Sequence, residues 1–443
     1  MKTKRLITLF ILVLFLLGGV AILSGCQKQT DVLKIALDIE DQDRYDELFA
    51  YFQEQTGIEI QATYGQDISK LVGTASEPDI IKTSTVVVLS MQDSLYDLTD
   101  LIAADQDVDP DNYIDSIMDA LTIDGRIYAL PTSINTSLLY YNKDMFNQKA
   151  DELRLAFGLS QDEDVYPKVD WTYGDFQKAG VILSEFTTLP DNSRVYTKFG
   201  AETQLNWWGE WLVYLNQLGG SFYQMGTDNH VTAITSNEAV LATMYFREKS
   251  MGDELSKFAP DAVEAASSFS FMSGNVAMIF GGHMGDWYSY DALGLNWDIQ
   301  ILPTPDAIPD ATGGEISSDA FGISVRSSKI DQAFLFLKMW AGVDGALKMY
   351  QYGKVGALKN MQTLIEALPI EEQKTINIEA VFQAAAIAET LPREKDFSKV
   401  MREMVMTEIY RLMYDGRGAE TDPLTVLTRI KTNVDSYYAG LYD

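Results

Sequence analysis

Two histidines, His230 and His283, and one cysteine, Cys26, are the chain's whole supply of the side chains that most often bind zinc or form a Cys–His nucleophile. Zinc clusters, histidine-bridged metal pairs and cysteine nucleophiles are therefore nearly excluded. The Gly-x-Ser-x-Gly, His-Glu-x-x-His and phosphate-loop patterns are missing as well. Carboxylates are plentiful, 64 in all, so a glycosidase pair stays open. Spacing is no guide to it, because the two groups usually lie far apart in the chain. Asp105, Asp107, Asp109, Asp111 and Asp115 imitate a calcium loop, but Pro110 stands where the tight-turn glycine belongs and Ser116 where the bidentate glutamate should be. That stretch reads as a solvated acidic loop. No metal and no cofactor is expected.

The positive chemical signal is aromatic. All seven tryptophans follow residue 170: Trp171, Trp207, Trp208, Trp211, Trp287, Trp297 and Trp340. Trp207-Trp208 precede a helix that ends at Leu218-Gly219-Gly220, and Gly281-Gly282-His283-Met284-Gly285-Asp286-Trp287-Tyr288 follows a buried strand, Val276 to Phe280. Glycines at a strand end let the backbone approach a ligand closely. Sugar rings have weakly polar C–H faces that lie on indoles, while nearby Asp, Asn and Ser bond the hydroxyls; such a cleft has apolar walls with a few oriented polar groups. Trp171, Trp297 and Trp340 read as core. Trp207, Trp208 and Trp287 stand between core and ligand platform.

These residues need a frame, and the chain supplies it in order. Val32 to Leu37 is a strand; Tyr45, Leu48, Phe49 and Phe52 recur as one helical face, stopped by Thr56-Gly57; Ile58, Ile60 and Ala62 alternate with polar residues as a second strand. Strand, helix, strand in so short a span is a βαβ unit, so a parallel sheet begins here. Pro78 to Ile81 adds another strand, ending in Lys82-Thr83-Ser84-Thr85. Open α/β sheets bind ligands at strand carboxyl ends, where Asp38 to Asp41 and Thr83-Ser84 fall. The stretch Asp124 to Asp144 is central. Asp124-Gly125 signals a turn, Ile127 to Leu130 a short strand halted by Pro131, and Leu138 to Tyr141 a second strand. The polar run between them, Thr132 to Ser137, is either an ordinary loop or a crossover facing a cleft. Later, Thr235 and Glu238 form a capping box, Asp298 to Pro303 another strand, and Ser328 to Asp331 the start of a helix carrying Ala333, Phe334, Leu337 and Trp340.

At 443 residues, 47% of them hydrophobic, the chain is long enough for two cores. Its net charge of −30 repels phosphate backbones, so no nucleic-acid partner is expected. Lys2, Lys4 and Arg5 precede an apolar run from Leu6 to Leu23, which is either an export signal or, by length, a membrane anchor.

Leu23-Ser24-Gly25-Cys26 resembles the lipobox of bacterial lipoproteins, which implies cleavage before Cys26, lipid attachment there, and anchoring at the outer face of the cytoplasmic membrane of a Gram-positive bacterium. Further along, Phe52-Gln53-Glu54-Gln55-Thr56-Gly57-Ile58, Glu77-Pro78-Asp79-Ile80, Asp124 to Pro131, Leu139 to Asp144, Phe271 to Met278, Ile301 to Thr304, Gly313-Gly314 and Ile323-Ser324 occur in the order and spacing of one family. The chain resembles the extracellular solute-binding proteins of ABC importers, in the class that binds oligosaccharides, over nearly all of residues 23–443.

The resemblance implies an α/β fold of the periplasmic-binding-protein type II, two α/β lobes joined by hinge crossovers with a ligand cleft between them. It implies a signal peptide at 1–25, a tether at 26–31, a first lobe from 32–134 and 303–347, and a second from 135–302 and 348–443. Crossovers would fall at 134–139, 299–303 and near 345–352. The implied ligand contacts are Asp38, Glu40, Thr83, Ser84, Asn135, Trp207, Trp208, His283 and Trp287. Thr83 stands where maltose-type members carry tryptophan, and Met284 close to an aromatic of theirs, which favours a shorter or differently linked glycan. The implied function is capture, without catalysis, of a carbohydrate for the transmembrane permease subunits of an ABC importer, by a monomer. The alternatives are the same fold binding a polyol phosphate or another small solute, and a secreted glycoside hydrolase.

Overall fold

The computed structural model describes residues 32–442, except positions 43, 205–206, 225–230, 253–255, 283 and 414–421; of Glu40 and Ser69 only the backbone is described. Residues 1–31 with Cys26, both histidines and the Glu40 side chain thus lie outside the described residues.

Strand β1 (Val32–Leu37), helix α1 (Asp46–Thr56) and strand β2 (Glu59–Tyr64) form the expected βαβ unit, with β1 and β2 parallel from Val32↔Glu59 to Leu37↔Tyr64. Helix α1 buries Leu48, Phe49 and Phe52 and ends on Gly57, whose φ of 73° is a left-handed conformation that glycine adopts without strain. Strand β3 (Ile80–Ser84) lies parallel to β1 on its other side. The Asp105 and Asp107 carboxylates of the acidic loop both accept from Lys338 Nζ, at 2.9 and 3.0 Å, and no metal-holding cluster occurs among the described residues.

The Asp124-Gly125 turn joins the two-residue strands Thr122–Ile123 and Arg126–Ile127. Pro131 does not end the next strand as expected: β4 (Leu130–Thr136) runs straight through it. Pro131 pairs with Ala320 beside a register shift between Asp319 and Ala320. Within the sheet β4 pairs only with that one strand, and beside such a bulge on a strand with a single neighbour a proline is tolerated. The polar run Thr132 to Thr136 is therefore strand and not loop. Ser137 alone separates β4 from β5 (Leu138–Asn142), and the two belong to different sheets.

Helix α2 (Tyr173–Leu183) starts at a reciprocal capping box between Thr172 and Asp175. Helix α3 (Gly209–Gln217) follows the paired tryptophans. Helix α4 (Asn237–Met251) is capped by Ser236, whose hydroxyl accepts from Ala239 N; the expected Thr235 cap is one residue early. Strands β6 (Met278–Gly282) and β7 (Trp297–Gln300) flank β5, both antiparallel to it, to make the second sheet. Strand β8 (Glu315–Ile323) then returns to the first sheet, antiparallel to both β3 and β4. Helix α5 (Ile330–Ala341) lays Trp340 on Phe321 of β8, ring centroids 4.1 Å apart. A third passage was expected near 345–352. The chain is helical from Val343 to Tyr350 there, and Val355 then bridges Ile134 of β4. The two-residue strand β9 (Glu389–Thr390) joins β8 in parallel, and helix α6 (Pro423–Tyr442) closes the chain.

Among the described residues two large apolar cores result, beside a small cluster of Tyr196, Phe199 and Val276. One lies under the first sheet and also takes in Tyr140, Ile279 and Ile299 of the second. The other is built on α2, α3, α4 and the C-terminal helices. Residues 355–384, expected with the second lobe, supply Val355, Met361, Ile365 and Val381 to the first core, so this stretch packs along the seam. Among the described residues no helix is long and apolar enough to cross a membrane.

The crossing between sheets is tied down at Glu315, the first residue of β8. Its carbonyl accepts from Ser137 N and from Thr136 Oγ1, each at 3.1 Å. The residue is 2% exposed, its Oε2 has no partner among the described residues, and burial pushes its pKa from 4.5 to about 8.

Candidate functional site

A cavity of about 480 Å³ opens between the two sheets. Ser84, at the carboxyl end of β3, faces it with Val86, Val87 and the triplet Ser317-Ser318-Asp319 from β8. Asn135 of β4 lines it from the crossing. Glu202, Gln204, Trp207, Trp208, Phe271, Met272, Asp286 and Tyr290 form the opposite wall. A smaller cavity of about 300 Å³ shares Ser84, Val87 and Asp319 and extends to Asp38, Lys82 and Thr83. The site thus sits where the strands of a parallel sheet end, as an open α/β sheet demands.

The first wall is polar but electrically closed. Lys82 bonds Asp38 and lies 3.2 Å from Asp41; Lys354 lies 3.1 Å from Asp319. Burial works against both ammonium groups, yet Asp319 and Asp41 outweigh it and hold each above the ordinary lysine value. Asp319 also accepts from Ser133 Oγ at 3.4 Å, and Ser318 Oγ donates to Ser133 O at 2.8 Å, so β4 and β8 are stitched together by side chains as well as by their ladder. The Thr83 hydroxyl is buried with no partner among the described residues.

The second wall is aromatic and rests on a buried ion pair. The Trp207 and Trp208 rings are 4.1 Å apart, and Trp208 meets Phe397 edge-on. Trp208 is 3% exposed, and its Nε1–H has no partner among the described residues. A buried donor left unpaired costs about 1–3 kcal/mol. Glu202 Oε2 accepts from Phe271 N at 2.7 Å and Gln204 Nε2 donates to Phe280 O at 2.6 Å, which fixes the segment ahead of the tryptophans. Behind it Lys249 bonds Glu210, both fully enclosed, and gives a further hydrogen bond to Glu202 O at 2.8 Å. Burial pushes Glu210 up and Lys249 down, each drawing the other partly back. Burial also raises Glu202; Lys249 opposes this, while Asp286 and Glu210 add to it. Gly281, at φ 71°, lets β6 pass close to α3, where an added Cβ would lie 3.4 Å from the Glu210 backbone.

Of the expected contacts, Ser84, Asn135, Trp207 and Trp208 meet on the main cavity, and Asp38 and Thr83 line the adjoining one. His283 and the Glu40 side chain lie outside the described residues. Trp287 is elsewhere. It is 0% exposed, donates Nε1–H to Tyr140 Oη at 2.6 Å and packs 5.6 Å from Trp297. The cause is helical phase: Asp286 and Tyr290, four apart, share the cavity face, and Trp287 is turned inward from it.

Sequence reasoning missed Glu202, Gln204, Phe271, Met272, Tyr290 and the β8 triplet. The triplet did carry a signal, three polar residues in a row inside a buried strand, as did the i, i+4 spacing of Asp286 and Tyr290. Glu202 carried none.

The fold is of the periplasmic-binding-protein type II, shared with several solved structures. An ABC substrate-binding protein from Listeria monocytogenes in complex with cycloalternan superposes with a TM-score of 0.76 at 21% identity, over 93% of this chain and 100% of that one. UgpB from Mycobacterium tuberculosis in complex with glycerophosphocholine gives 0.71 at 16%, over 93% and 99%. A cyclic alpha-maltosyl-1,6-maltose binding protein from Arthrobacter globiformis gives 0.67 at 18%, over 93% and 100%. No curated protein sequence matches the chain. Residues 47–374 match the family model described as bacterial extracellular solute-binding protein. With three-quarters of its length inside that match and a cleft between its sheets, the chain belongs to the bacterial extracellular solute-binding family, whose work is binding and not catalysis, outside the cytoplasm.

Proposed function

We propose that this cleft captures a carbohydrate, a short oligosaccharide, and that the protein hands it to the permease subunits of an ABC importer. The observation that carries this reading is the Trp207–Trp208 wall with its unpaired indole N–H, set across the cavity from the small polar groups of Ser84, Asn135 and Ser317. Indole faces suit the C–H faces of sugar rings, and hydroxyl and amide groups suit their oxygens. Two of the structural neighbours named above were solved with, or are named for, a cyclic glucan or maltosyl sugar. Against a phosphate-bearing ligand, no Lys or Arg lines the main cavity among the described residues, and Lys82 in the adjoining one is held by its aspartates.

The lobes would be 32–134 with 303–347 and 135–302 with 348–443, the seam stretch 355–384 riding on the first, and would close about Ser137. Lipid on Cys26 would keep the protein, a monomer, at the outer membrane face. A thermal-shift screen of the lipid-free protein against mono-, di- and oligosaccharides tests the ligand class. A sugar at ~100 times its Kd stabilises by about 2.7 kcal/mol. A shift with glycerophosphodiesters alone would replace the carbohydrate by a polyol phosphate, and release of reducing sugar during incubation would replace binding by hydrolysis.

A further inference from the structure

Phe271 and Met272 line the main cavity from the loop 268–275, Phe271 buried and Met272 exposed. The loop is knotted on itself: Ser273 Oγ donates to Ser270 O at 2.8 Å, Asn275 Nδ2 to Ser268 O at 3.1 Å, and Gly274 N to Phe271 O at 3.0 Å. Such a loop shifts as one body. Its two ends are held by uncharged contacts, Phe269 on Phe199 with ring centroids 4.8 Å apart and Phe199 N bonded to Asn275 O at 3.0 Å. Its middle rests on the Phe271 ring, 5.1 Å from that of Tyr290, and on Glu202, whose Oε2 accepts from Phe271 N at 2.7 Å. Glu202 is itself immobilised: its N–H donates to Met278 O of β6 at 2.8 Å, and its main-chain oxygen accepts from Lys249 Nζ of α4 at 2.8 Å. The carboxylate is thus a rigid post for a loop that has no charged side chain of its own.

We propose that Glu202 is a positioning residue of the sugar cleft: its ionised carboxylate, through Phe271 N, sets Phe271 and Met272 against the ligand, so that affinity follows its charge. This rests on the carbohydrate reading above and adds regulation of the same site by acidity. An ionised acceptor bonds an N–H about twice as strongly as a neutral one. Burial raises the Glu202 pKa above 4.5; the Phe271 N–H and Lys249 of α4 oppose this, while Asp286, in the turn after β6, and Glu210 of α3 add to it. Glu202 therefore takes up its proton at a milder acidity than an exposed glutamate does. Affinity is highest where the group is ionised and falls as pH drops through that raised value.

The test is calorimetric titration of the lipid-free protein with maltose, maltotriose and cellobiose at half-unit steps from pH 4.5 to 7.5. Amide exchange at Phe271, corrected for the intrinsic rate, is followed in the unliganded protein over the same range. The tightest of these sugars binds about threefold to tenfold more weakly at the acid end. Glu202→Gln, which copies the neutral form, binds at pH 7.5 as weakly as the wild type does at the acid end, loses the slope, and exposes Phe271 N–H to faster exchange. A merely structural role would lower affinity by one factor at every pH and leave the slope in place. A flat wild-type profile, or a slope that survives in folded Glu202→Gln, overturns the proposal and leaves carbohydrate capture standing. Should the variant not fold, the wild type decides: protection of Phe271 N–H that does not fall together with affinity on acidification overturns the proposal. If none of the three sugars binds at any pH, the carbohydrate reading fails and this proposal with it.

Discussion

Glu315 offers a sharp check on the physical account of the crossing between sheets. Its carboxyl group is enclosed at the start of β8 with one oxygen unpaired, and burial alone moves its pKa from 4.5 to about 8. Below 4.5 the side chain is neutral in both folded and unfolded chains, and its full contribution to stability is present. Between the two values the unfolded chain has lost the proton and the folded chain keeps it, so stability falls as pH rises. The slope is about 1.4 kcal/mol per pH unit for one group. From pH 4.5 to 7.5 the accumulated loss is about 4 kcal/mol. Glu315→Gln removes the titration and keeps the shape. The amide brings its own cost, a buried N–H₂ with no acceptor, but that cost does not vary with pH. Urea denaturation of both proteins at half-unit steps from pH 4.5 to 7.5 isolates the term as a difference. The variant should gain on the wild type by up to about 4 kcal/mol across the range. A flat difference would refute the reasoning, since Glu315 would then be ionised in the fold through a contact the structure lacks.

Three other outcomes follow from the same geometry. Trp208→Phe removes the unpaired indole donor; sugar affinity measured by calorimetry should drop about fivefold to tenfold, while the unliganded melting temperature holds or rises slightly. Lys249→Met strands the Glu210 carboxylate and frees Glu202 O, and should cost about 3–5 kcal/mol in denaturant titrations; a loss under 1 kcal/mol would mean that Glu210 is neutral in the fold. Trp287→Ala opens a cavity beside Tyr140 and Trp297 and should cost about 3–5 kcal/mol of stability without ligand. If it instead weakened sugar binding alone, Trp287 would belong to the cleft after all.

What could be read from residues alone was whatever local periodicity and turn chemistry decide. Tyr45, Leu48, Phe49 and Phe52 announce α1, Gly57 ends it, and the flanking aliphatic runs announce β1 and β2; the structure has all three. Ser84, Asn135 and the two adjacent tryptophans came from family order, and they do converge on the cavity. Pro131 misled because its cost depends on whether a neighbour needs its N–H, a question of sheet position that no local pattern answers. Trp287 misled because one step along a helix separates a cavity face from a core face. The stretch 355–384 packs along the seam, in a core that holds residues of both sheets, and no local pattern announces that position because the surroundings on either side are apolar. Glu202 was invisible for a further reason: its role comes from Phe271, Lys249 and Asp286, none within forty residues of it.

Strand β8 carries a consequence for synthesis. It lies between β3 and β4, and side-chain bonds across β4 join residues up to 187 positions apart. A chain emerging from the ribosome or the export channel can form the β1–α1–β2 unit early, but the inner place between β3 and β4 stays vacant until residue 323 has appeared, after all of the second sheet. Fragments that stop earlier leave the edges of β3 and β4 bare, the condition that invites pairing with other chains. Such long-range closure is also slow. Completion of the first sheet, and with it the Ser317-Ser318-Asp319 wall, should be a late event of folding, so the cleft cannot hold its ligand until about three-quarters of the chain is out.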